Sequence, residues 1–289
     1  MSSRNELARE GAVAALRVRR RLRYSLYEGL CPHDLALKMG LQLRFEAIPS
    51  LEGVYCASTP PVIILSSLRP PGRRAFTCAH ELGHHVFGHG THVDQIVDSR
   101  EQQIAKDPQE YLADRFASEI LMPKLAVESG FARRKWKLAD CTPENVYIVA
   151  GSLGVGYGAL VDQMEFTLGS LSTDQASALR RVPPKRIRRD LLGRDVPNDL
   201  ILFDSHWSRP ADLEIGDFIV IPGDFRFVGQ ALERVERSED RIVARAVRPG
   251  ASKVHSADGA WTGSIRVARC SFQGLSQYRF LEDPDYAGG

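Results

Sequence analysis

The chain has 289 residues, of which 43% are hydrophobic and 26% are charged, a balance typical of a globular protein with one large or two ordinary domains. Its formal net charge of +2 is too small to indicate a nucleic-acid or membrane partner by itself. The five cysteines are an odd number and show no CxxC spacing. We therefore expect neither a cysteine zinc knuckle nor a disulfide framework.

The sequence carries no sign of a membrane or secretory segment. No stretch approaches the roughly 20 apolar residues that a membrane helix needs. The opening "MSSRNELARE" lacks the apolar core of a signal peptide. Free thiols are simplest to explain in a reducing compartment, so we expect a cytoplasmic protein that does not act at a membrane.

The first quarter of the chain predicts helices followed by short strands. Residues 5–29 contain no proline and have apolar residues at helical spacing, which predicts a helix. A short helix is expected at 33–40, and the alternating pattern of 41–48 predicts a strand. The segments 53–57 and 62–66 predict a further strand pair.

The stretch that follows, up to about residue 166, is predicted to be mostly helical. One helix carries a cluster of histidines, and a loose polar stretch follows it. A second helix is expected to open at Asp107, an N-cap residue followed by Pro108, and to end before Pro123. The segment 142–166 resembles a helix–turn–helix with a glycine-rich turn.

The sequence pattern changes from helical to β-like after the basic stretch that ends near residue 195. Short predicted strands separated by turn residues fill the rest of the chain. We therefore predict an α+β protein: a small N-terminal sheet, a mainly helical core with a helix–turn–helix-like segment, and a separate β-rich C-terminal domain. The predicted limits are 1–180 for the first domain (30–135 core, 140–168 helix–turn–helix-like helices), 181–195 for a basic linker and 196–289 for the β-rich domain.

The motif that carries chemistry is "HELGH", the HExxH pattern of His80, Glu81 and His84. Residues four apart lie on one face of a helix, so both histidines can offer a ring nitrogen to one ion. Glu81 projects beside them and can take a proton from a water that such an ion activates for attack on a peptide carbonyl. The apolar stripe around the motif places the histidines at the edge of a core.

The neighbouring histidines do not supply an obvious third ligand. His85 points about 100° away from His84 around a helix. The longer pattern HExxHxxGxxH needs glycine and histidine where this chain has Phe87 and Gly90. His89 and His92 are therefore expected to support the site from outside the metal or to be merely exposed.

A better candidate lies in "DPQEYLADRFASEILMP", where Glu110 and Asp114 border an apolar helix face. A carboxylate beside a core is costly unless it is paired or metal-bound. Glu110 can be the third ligand, with Asp114 orienting a ligand histidine through its other ring nitrogen. Asp107 and Glu110 also have the spacing of a capping box, so Glu110 can instead cap its own helix. Spacing leaves these two roles open.

Together, "RRAFTCAHELGHHVFGH" and "EYLADRFASEILMP" resemble the ImmA/IrrE family of zinc metallopeptidases, and the similarity covers about residues 30–165. The resemblance implies that domain 1–180 is a metallopeptidase domain with a zincin-like catalytic core at 30–135. It implies that His80, His84 and Glu110 are the metal ligands and that Glu81 is the catalytic glutamate. It also implies zinc as the cofactor; spacing does not distinguish zinc from manganese or iron, although a His-His-Glu set fits zinc best. Asp114 stands where the family usually has asparagine, and Cys78 where leucine is usual.

The resemblance further implies a cytoplasmic endopeptidase that cleaves a helix–turn–helix transcriptional repressor and so switches on a stress or mobile-element response. We expect the substrate to add as a strand along an edge formed by residues 53–66. Tyr147 and Tyr157 are candidates to stabilise the oxyanion of the reaction, and both can equally be packing residues.

Two other classes compete with the peptidase. The helix–turn–helix-like segment can belong to a DNA-binding regulator, but its second helix carries Asp162 and Glu165 and no basic residue, so direct DNA binding is not expected. Alternatively, the metal can be structural or non-catalytic in a partner-binding regulator. Glu81 speaks against that alternative, because holding a metal does not need it.

Overall fold

The structure of the protein is a computed structural model that describes residues 3–95 and 107–281. Helices and sheets are mixed in these ranges, which confirms the α+β class with a β-rich C-terminal region. The chain divides into two compact units. The first contains Met1–Ser129, Leu153–Gly156 and Ser271–Gln277, and the second contains Gly130–Ser152, Tyr157–Cys270 and Tyr278–Gly289. These limits differ from the predicted domain limits at 180 and 196, which stay a prediction.

The described part of the first unit combines helices with one sheet. Its helices are α1 (Arg4–Arg21), α2 (Pro32–Lys38), α3 (Pro71–Phe87) and α4 (Pro108–Leu121). Its strands are β1 (Gln42–Glu46), β2 (Leu51–Cys56), β3 (Val62–Ser66), β4 (His92–Gln95) and β13 (Gly274–Leu275). The helix expected over 5–29 ends early, because Arg23 takes a left-handed backbone conformation with φ of 60°.

The sheet of the first unit has the strand order β13-β1-β3-β2-β4. The pair β1 and β3 is parallel, and the other neighbouring pairs are antiparallel. Strand β4 forms where a loose polar stretch was expected. It pairs with β2, so β2 and β3 are both interior strands and the expected substrate edge along residues 53–66 is wrong. Among the strands that the structure describes, the edge strand next to β2 is β4.

Arg19 is fully buried and links α1 to the end of α4. Its guanidinium donates hydrogen bonds of 2.9 and 2.7 Å to the carbonyl of Ile120 and one of 3.0 Å to the carbonyl of Glu28. Burial lowers the pKa of Arg19 to about 10, which leaves it charged at neutral pH. Arg19 therefore satisfies carbonyl groups at helix ends and loops that would otherwise be buried without a partner.

Replacing Arg19 by methionine is expected to lower the free energy of unfolding by roughly 2–4 kcal/mol, because several carbonyl groups lose their donor at once. Urea denaturation followed by circular dichroism measures this. The neighbouring Arg20 is exposed, so Arg20→Met is the matched control and should cost less than about 0.5 kcal/mol. Equal losses in the two variants would contradict the anchoring role.

Further helices precede the C-terminal strands. They are α5 (Lys124–Ala132), α6 (Pro143–Leu153), α7 (Tyr157–Asp162), α8 (Thr173–Arg180) and α9 (Pro184–Leu192). Helices α6 and α7 form the expected helix–turn–helix-like pair, and Gly154 turns the chain between them with φ of 79°. In the second unit, Arg180 forms ion pairs with Asp162 at the end of α7 and with Glu165 just after it, so both acidic groups are neutralised within the protein.

Two four-stranded sheets make up the β-rich part of the second unit. Their orders are β5-β7-β10-β9 and β6-β12-β11-β8. The strands are β5 (Leu200–Leu202), β6 (Ala211–Glu214), β7 (Phe218–Pro222), β8 (Arg226–Val228), β9 (Leu232–Arg237), β10 (Arg241–Ala246), β11 (Gly250–His255) and β12 (Thr262–Ala268). One cluster of buried side chains, which includes Phe203, Ile219 and Ile265, draws on both sheets.

Part of the segment expected to be a basic linker is helix α9. Its Leu192 packs with Val196, Leu200 and Phe218 in a buried cluster, while Arg186 and Arg189 are exposed. The basic residues thus form the solvated face of an amphipathic helix. In the described ranges, no helix combines the length and the apolar character needed to span a membrane.

Candidate metal centre

Helix α3 carries the HExxH motif, and the local sequence sets its limits. Pro71 occupies the first turn, where its missing N–H costs nothing. Gly88 ends the helix in the left-handed conformation with φ of 67°. His80 and His84 lie one turn apart on one face, and both side chains are completely buried.

Gly83 brings helix α4 against this face of α3. A Cβ atom at Gly83 would lie 2.9 Å from the Cα of Ala113, which is closer than real Cβ atoms come to another atom. The two backbones are therefore in contact, and glycine is needed for that approach. This crossing sets Glu110 and Asp114, one turn apart on α4, against His80 and His84.

Three side chains converge on one point between the helices. The Nε2 atoms of His80 and His84 are 3.0 Å apart. Glu110 places Oε1 at 3.3 Å from Nε2 of His84 and Oε2 at 3.4 Å from Nε2 of His80. A tetrahedral ion with bonds of about 2.0–2.1 Å holds its ligands roughly 3.3 Å apart. The three residues form a buried His-His-Glu group that is compatible with a metal ion.

Hydrogen bonds on the outer side of the histidines favour the ligand form of the group. Oδ1 of Asp114 lies 2.7 Å from Nδ1 of His80. An ionised carboxylate only accepts, so Nδ1 donates, and the lone pair of a neutral ring is then on Nε2, facing the group. On His84, Nδ1 lies 3.0 Å from Nδ1 of His89. Metal-binding histidines usually have such a partner on the second ring nitrogen.

The charge states of the group also suit a cation. Burial lowers the pKa of His84 and so favours its neutral ring. Burial raises the pKa of the Glu110 carboxyl, but the adjoining imidazoles, which act as hydrogen-bond donors when no ion lies among them, outweigh that effect and leave the pKa far below its ordinary value. A neutral imidazole and an ionised carboxylate are the forms that bind a divalent ion.

The structure separates the two roles that spacing left open for Glu110. Asp107 is the N-cap of α4, and its side chain accepts a 2.8 Å hydrogen bond from the backbone N–H of Gln109. The Glu110 carboxylate, in contrast, faces the histidines. Asp107 therefore caps α4, and the Glu110 carboxylate is free to act as a metal ligand with His80 and His84.

Glu81 lies on a different face of α3, together with Thr77 and His85, and this face packs against β2. The Glu81 side chain is fully buried. A Cβ atom at Gly53 of β2 would lie 2.6 Å from Oε1 of Glu81 and 2.5 Å from Cγ2 of Thr77. Glycine at 53 leaves room for the Glu81 carboxylate where it lies, and a side chain there would displace that carboxylate. Sequence reasoning missed this contact.

The remaining histidines of the cluster differ in their contacts. His85 is turned to β2, where Nδ1 lies 2.9 Å from the hydroxyl oxygen of Tyr55. His92 lies with Nε2 2.8 Å from Oε1 of Glu110. Its ring stacks on His84 with centroids 4.1 Å apart. His89 and His92 thus both touch the His-His-Glu group and are not merely exposed. No spacing rule pointed to these contacts, because the turn after α3 sets them.

The two tyrosines considered for the oxyanion have other partners, both in the second unit. The hydroxyl of Tyr147 donates a 2.6 Å hydrogen bond to the carbonyl of Leu200. The hydroxyl of Tyr157 donates a 2.9 Å hydrogen bond to the carbonyl of Leu179. Burial raises the pKa of both, to about 12 for Tyr157. These are the contacts of packing tyrosines, and the proposed function makes no use of them.

Comparison with solved structures includes a distant likeness, and no curated protein matches the sequence. A Mycobacterium tuberculosis transcriptional regulator is similar at 16% identity with a TM-score of 0.38. The alignment covers 58% of this chain and 49% of the regulator, so the chain spans about half of that protein's length. A likeness of this size carries no conclusion about fold or function.

Comparison with protein families gives a specific result. Residues 33–164, a little under half of the chain, match the peptidase family M78, described as the IrrE N-terminal-like domain. The matched range contains α3, α4 and every residue of the His-His-Glu group. This supports a metallopeptidase of the ImmA/IrrE type. The resemblance seen in the motifs is thereby confirmed over residues 33–164, which match the IrrE N-terminal-like domain of the M78 peptidases.

Proposed function

We propose that the protein is a cytoplasmic, zinc-dependent endopeptidase that cleaves a helix–turn–helix transcriptional repressor and thereby switches on a stress or mobile-element response. One observation carries the metal-dependent activity. Nε2 of His80, Nε2 of His84 and the Glu110 carboxylate approach one another within 3.0 to 3.4 Å. These electron-rich atoms repel one another unless a cation or a proton lies among them. A bound zinc ion would remove that repulsion.

The chemistry follows from how the residues divide between the two faces of α3. A zinc ion bound by His80, His84 and Glu110 would supply Lewis acidity to water and to the peptide carbonyl. Glu81, held at the neighbouring face, takes the proton from the attacking water and passes it to the leaving nitrogen. Asp114 keeps His80 in the tautomer that presents Nε2 to the ion.

The substrate is proposed to dock along β4. Among the described strands, β4 is paired only with β2, so its other side offers backbone groups to an extended chain. His92, on this strand, reaches the His-His-Glu group. A peptide added to β4 therefore lies beside the reacting groups. The repressor as substrate rests on the family resemblance.

Metal analysis tests the site. Purified protein is expected to contain about one zinc per chain, and His84→Ala and Glu110→Ala should each lower the zinc content severalfold or more. His255→Ala is the matched control, since that histidine lies on β11 and bonds Thr262. Zinc retained in full without Glu110 would contradict the ligand set. No metal in the wild type under any loading condition would sink the proposed function.

The substrate class is tested in cells. New protein N-termini are compared between cells that produce the wild type and cells that produce His84→Ala. Cleavage within a helix–turn–helix repressor, seen only with the wild type, is the expected result. Wild-type-dependent cleavage confined to other proteins would overturn the repressor assignment and leave the peptidase assignment standing.

A further inference from the structure

One face of α3 presents a row of side chains to β2. The row consists of residues that are four apart along the helix, namely Arg73, Thr77, Glu81 and His85. The first member of the row contacts Glu52, the two central members lie against Gly53, and the last contacts Tyr55. The partners thus follow one another along β2 in the order of the row. Glu81, the proposed base, lies between two polar contacts that join the helix to the strand.

Strand β2 contains one extra residue where the row begins. Gly53 pairs with Asp94 of β4, and Leu51 pairs with Gln95, the next residue of β4. Two steps along β2 therefore match one step along β4, which makes Glu52 the extra residue of a β-bulge. A bulge breaks the two-residue alternation of a strand and turns side chains in new directions. This is how consecutive residues, Glu52 and Gly53, both contact α3.

Two arginines hold the bulge. The Glu52 side chain is only 6% exposed, and Nε of Arg73, in the first turn of α3, donates a 3.0 Å hydrogen bond to its Oε2. Nε of Arg69 lies 3.3 Å from Oε1 of Glu52 as an ion pair. The Arg69 guanidinium also donates a 3.3 Å hydrogen bond to the carbonyl of Leu51. Because a buried carboxylate is costly without cationic partners, these contacts fix the bulge to the beginning of α3.

The contact between Arg73 and Glu52 sets where α3 lies along β2. The residue after Glu52 is Gly53, whose missing side chain leaves room for the Glu81 carboxylate. A slide of α3 along the strand would carry that carboxylate away from the gap. It would also take a cationic partner from the buried Glu52, so the ion pair resists the slide. A displacement of about 1 Å in a catalytic group is enough to slow a reaction about 10²-fold.

We propose that Arg73, through the bulged Glu52, is a positioning residue that holds the Glu81 carboxylate in place for catalysis. The inference rests on the proposed function, because that function makes Glu81 the base. Arg73 and Glu52 act on the placement of Glu81 and not on the metal ligands. Their loss should therefore slow the chemical step and leave metal binding intact.

Two substitutions of Arg73 test this role with an internally quenched peptide that spans the cleavage point found in cells. Arg73→Met removes the donor and the charge, whereas Arg73→Lys keeps a cation that can pair with Glu52. Arg73→Met is expected to lower kcat about 10-fold with little change in KM, and Arg73→Lys less than about threefold. Zinc content should be unchanged in both.

Arg44→Met is the matched control for the loss of an arginine from the same unit. The Arg44 side chain is as exposed as that of Arg73, 50% against 49%, and it forms an ion pair with Glu46 on β1. Strand β3 separates β1 from β2 in the sheet, so this pair does not hold the bulge. Arg44→Met should leave kcat unchanged.

A double-mutant cycle tests whether Arg73 acts through Glu81. In a Glu81→Gln background, Arg73→Met should lower kcat no further, because the group that it positions no longer accepts the proton.

Hydrogen exchange of the metal-free protein, followed by mass spectrometry, gives a readout that needs no substrate. Amide exchange across residues 51–56 should be faster in Arg73→Met than in the wild type, because the bulge has lost its link to α3. Exchange in the same residues should be unchanged in Arg44→Met. Thermal unfolding of the same samples checks that both variants fold.

Several results would each overturn the positioning role: wild-type kcat in Arg73→Met, an equal loss in Arg73→Lys, unchanged exchange across 51–56, or a full additional loss in the Glu81→Gln background. Loss of zinc from Arg73→Met would also overturn it, since the contact would then support α3 as a whole. A wild type without zinc and without cleavage would end the proposed function and the inference with it. Loss of kcat in Glu81→Gln with full kcat in Arg73→Met would remove the inference and leave the proposed function intact.

Discussion

Glu81→Gln is expected to lower kcat/KM for peptide cleavage by about 10³-fold while the protein keeps its zinc. The amide has nearly the size and shape of the carboxylate, so the buried site beside Gly53 can accommodate it. The glutamine amide cannot accept the proton of the attacking water at neutral pH. The loss should therefore appear in kcat, with little change in KM.

The measurement uses an internally quenched peptide that spans the cleavage point found in cells, together with zinc analysis of the same samples. Glu128→Gln is the matched control, because that glutamate is half-buried on α5, where it pairs with Lys124, and its loss should leave the rate unchanged. If Glu81→Gln cleaved the peptide at the wild-type rate, Glu81 would not be the base. If it also left every cellular effect unchanged, a partner-binding regulator with a structural metal would be the better account.

Gly53→Ala is expected to lower kcat about 100-fold, although residue 53 carries no chemistry of its own. The new methyl group would lie 2.6 Å from Oε1 of Glu81 and 2.5 Å from Cγ2 of Thr77. The Glu81 side chain can swing aside at small cost to the fold, but a displaced carboxylate no longer meets the attacking water. Zinc content should stay unchanged, because His80 and His84 lie on another face of α3 and Glu110 lies on α4.

The same quenched peptide and zinc analysis measure the effect of Gly53→Ala. Gly158→Ala adds the same methyl group at a position with no atom within 4 Å, so it is the control for a harmless glycine substitution. Full activity in Gly53→Ala would show that the base needs no such clearance. Loss of zinc together with activity would mean that the substitution disturbs α3 as a whole.

Short-range patterns predicted the elements well where the signal was local. Asp107 with Pro108 sets the start of α4 as predicted, because proline and capping residues act within one helical turn. The pairing of His80 with His84 follows in the same way from helical periodicity. Strand β4 was missed, because its four residues derive their order from pairing with β2.

The third member of the metal group shows the limit of local reasoning. Glu110 satisfies the spacing of a capping box and of a ligand equally well, so the local sequence left both roles open and only the family resemblance favoured the ligand. The close approach of α3 and α4 at Gly83 resolves the choice, because it turns the Glu110 carboxylate to the histidines.

By itself, the sequence determined the α+β class, the HExxH helix and the resemblance of about residues 30–165 to the ImmA/IrrE family. Only the tertiary structure decided that Gly53 makes room for Glu81, that His89 and His92 touch the metal group and that β4 is the edge strand beside it. Periodicity and capping are set by neighbours along the chain. These contacts join residues that meet only when separate elements pack, and their distances depend on the fold as a whole.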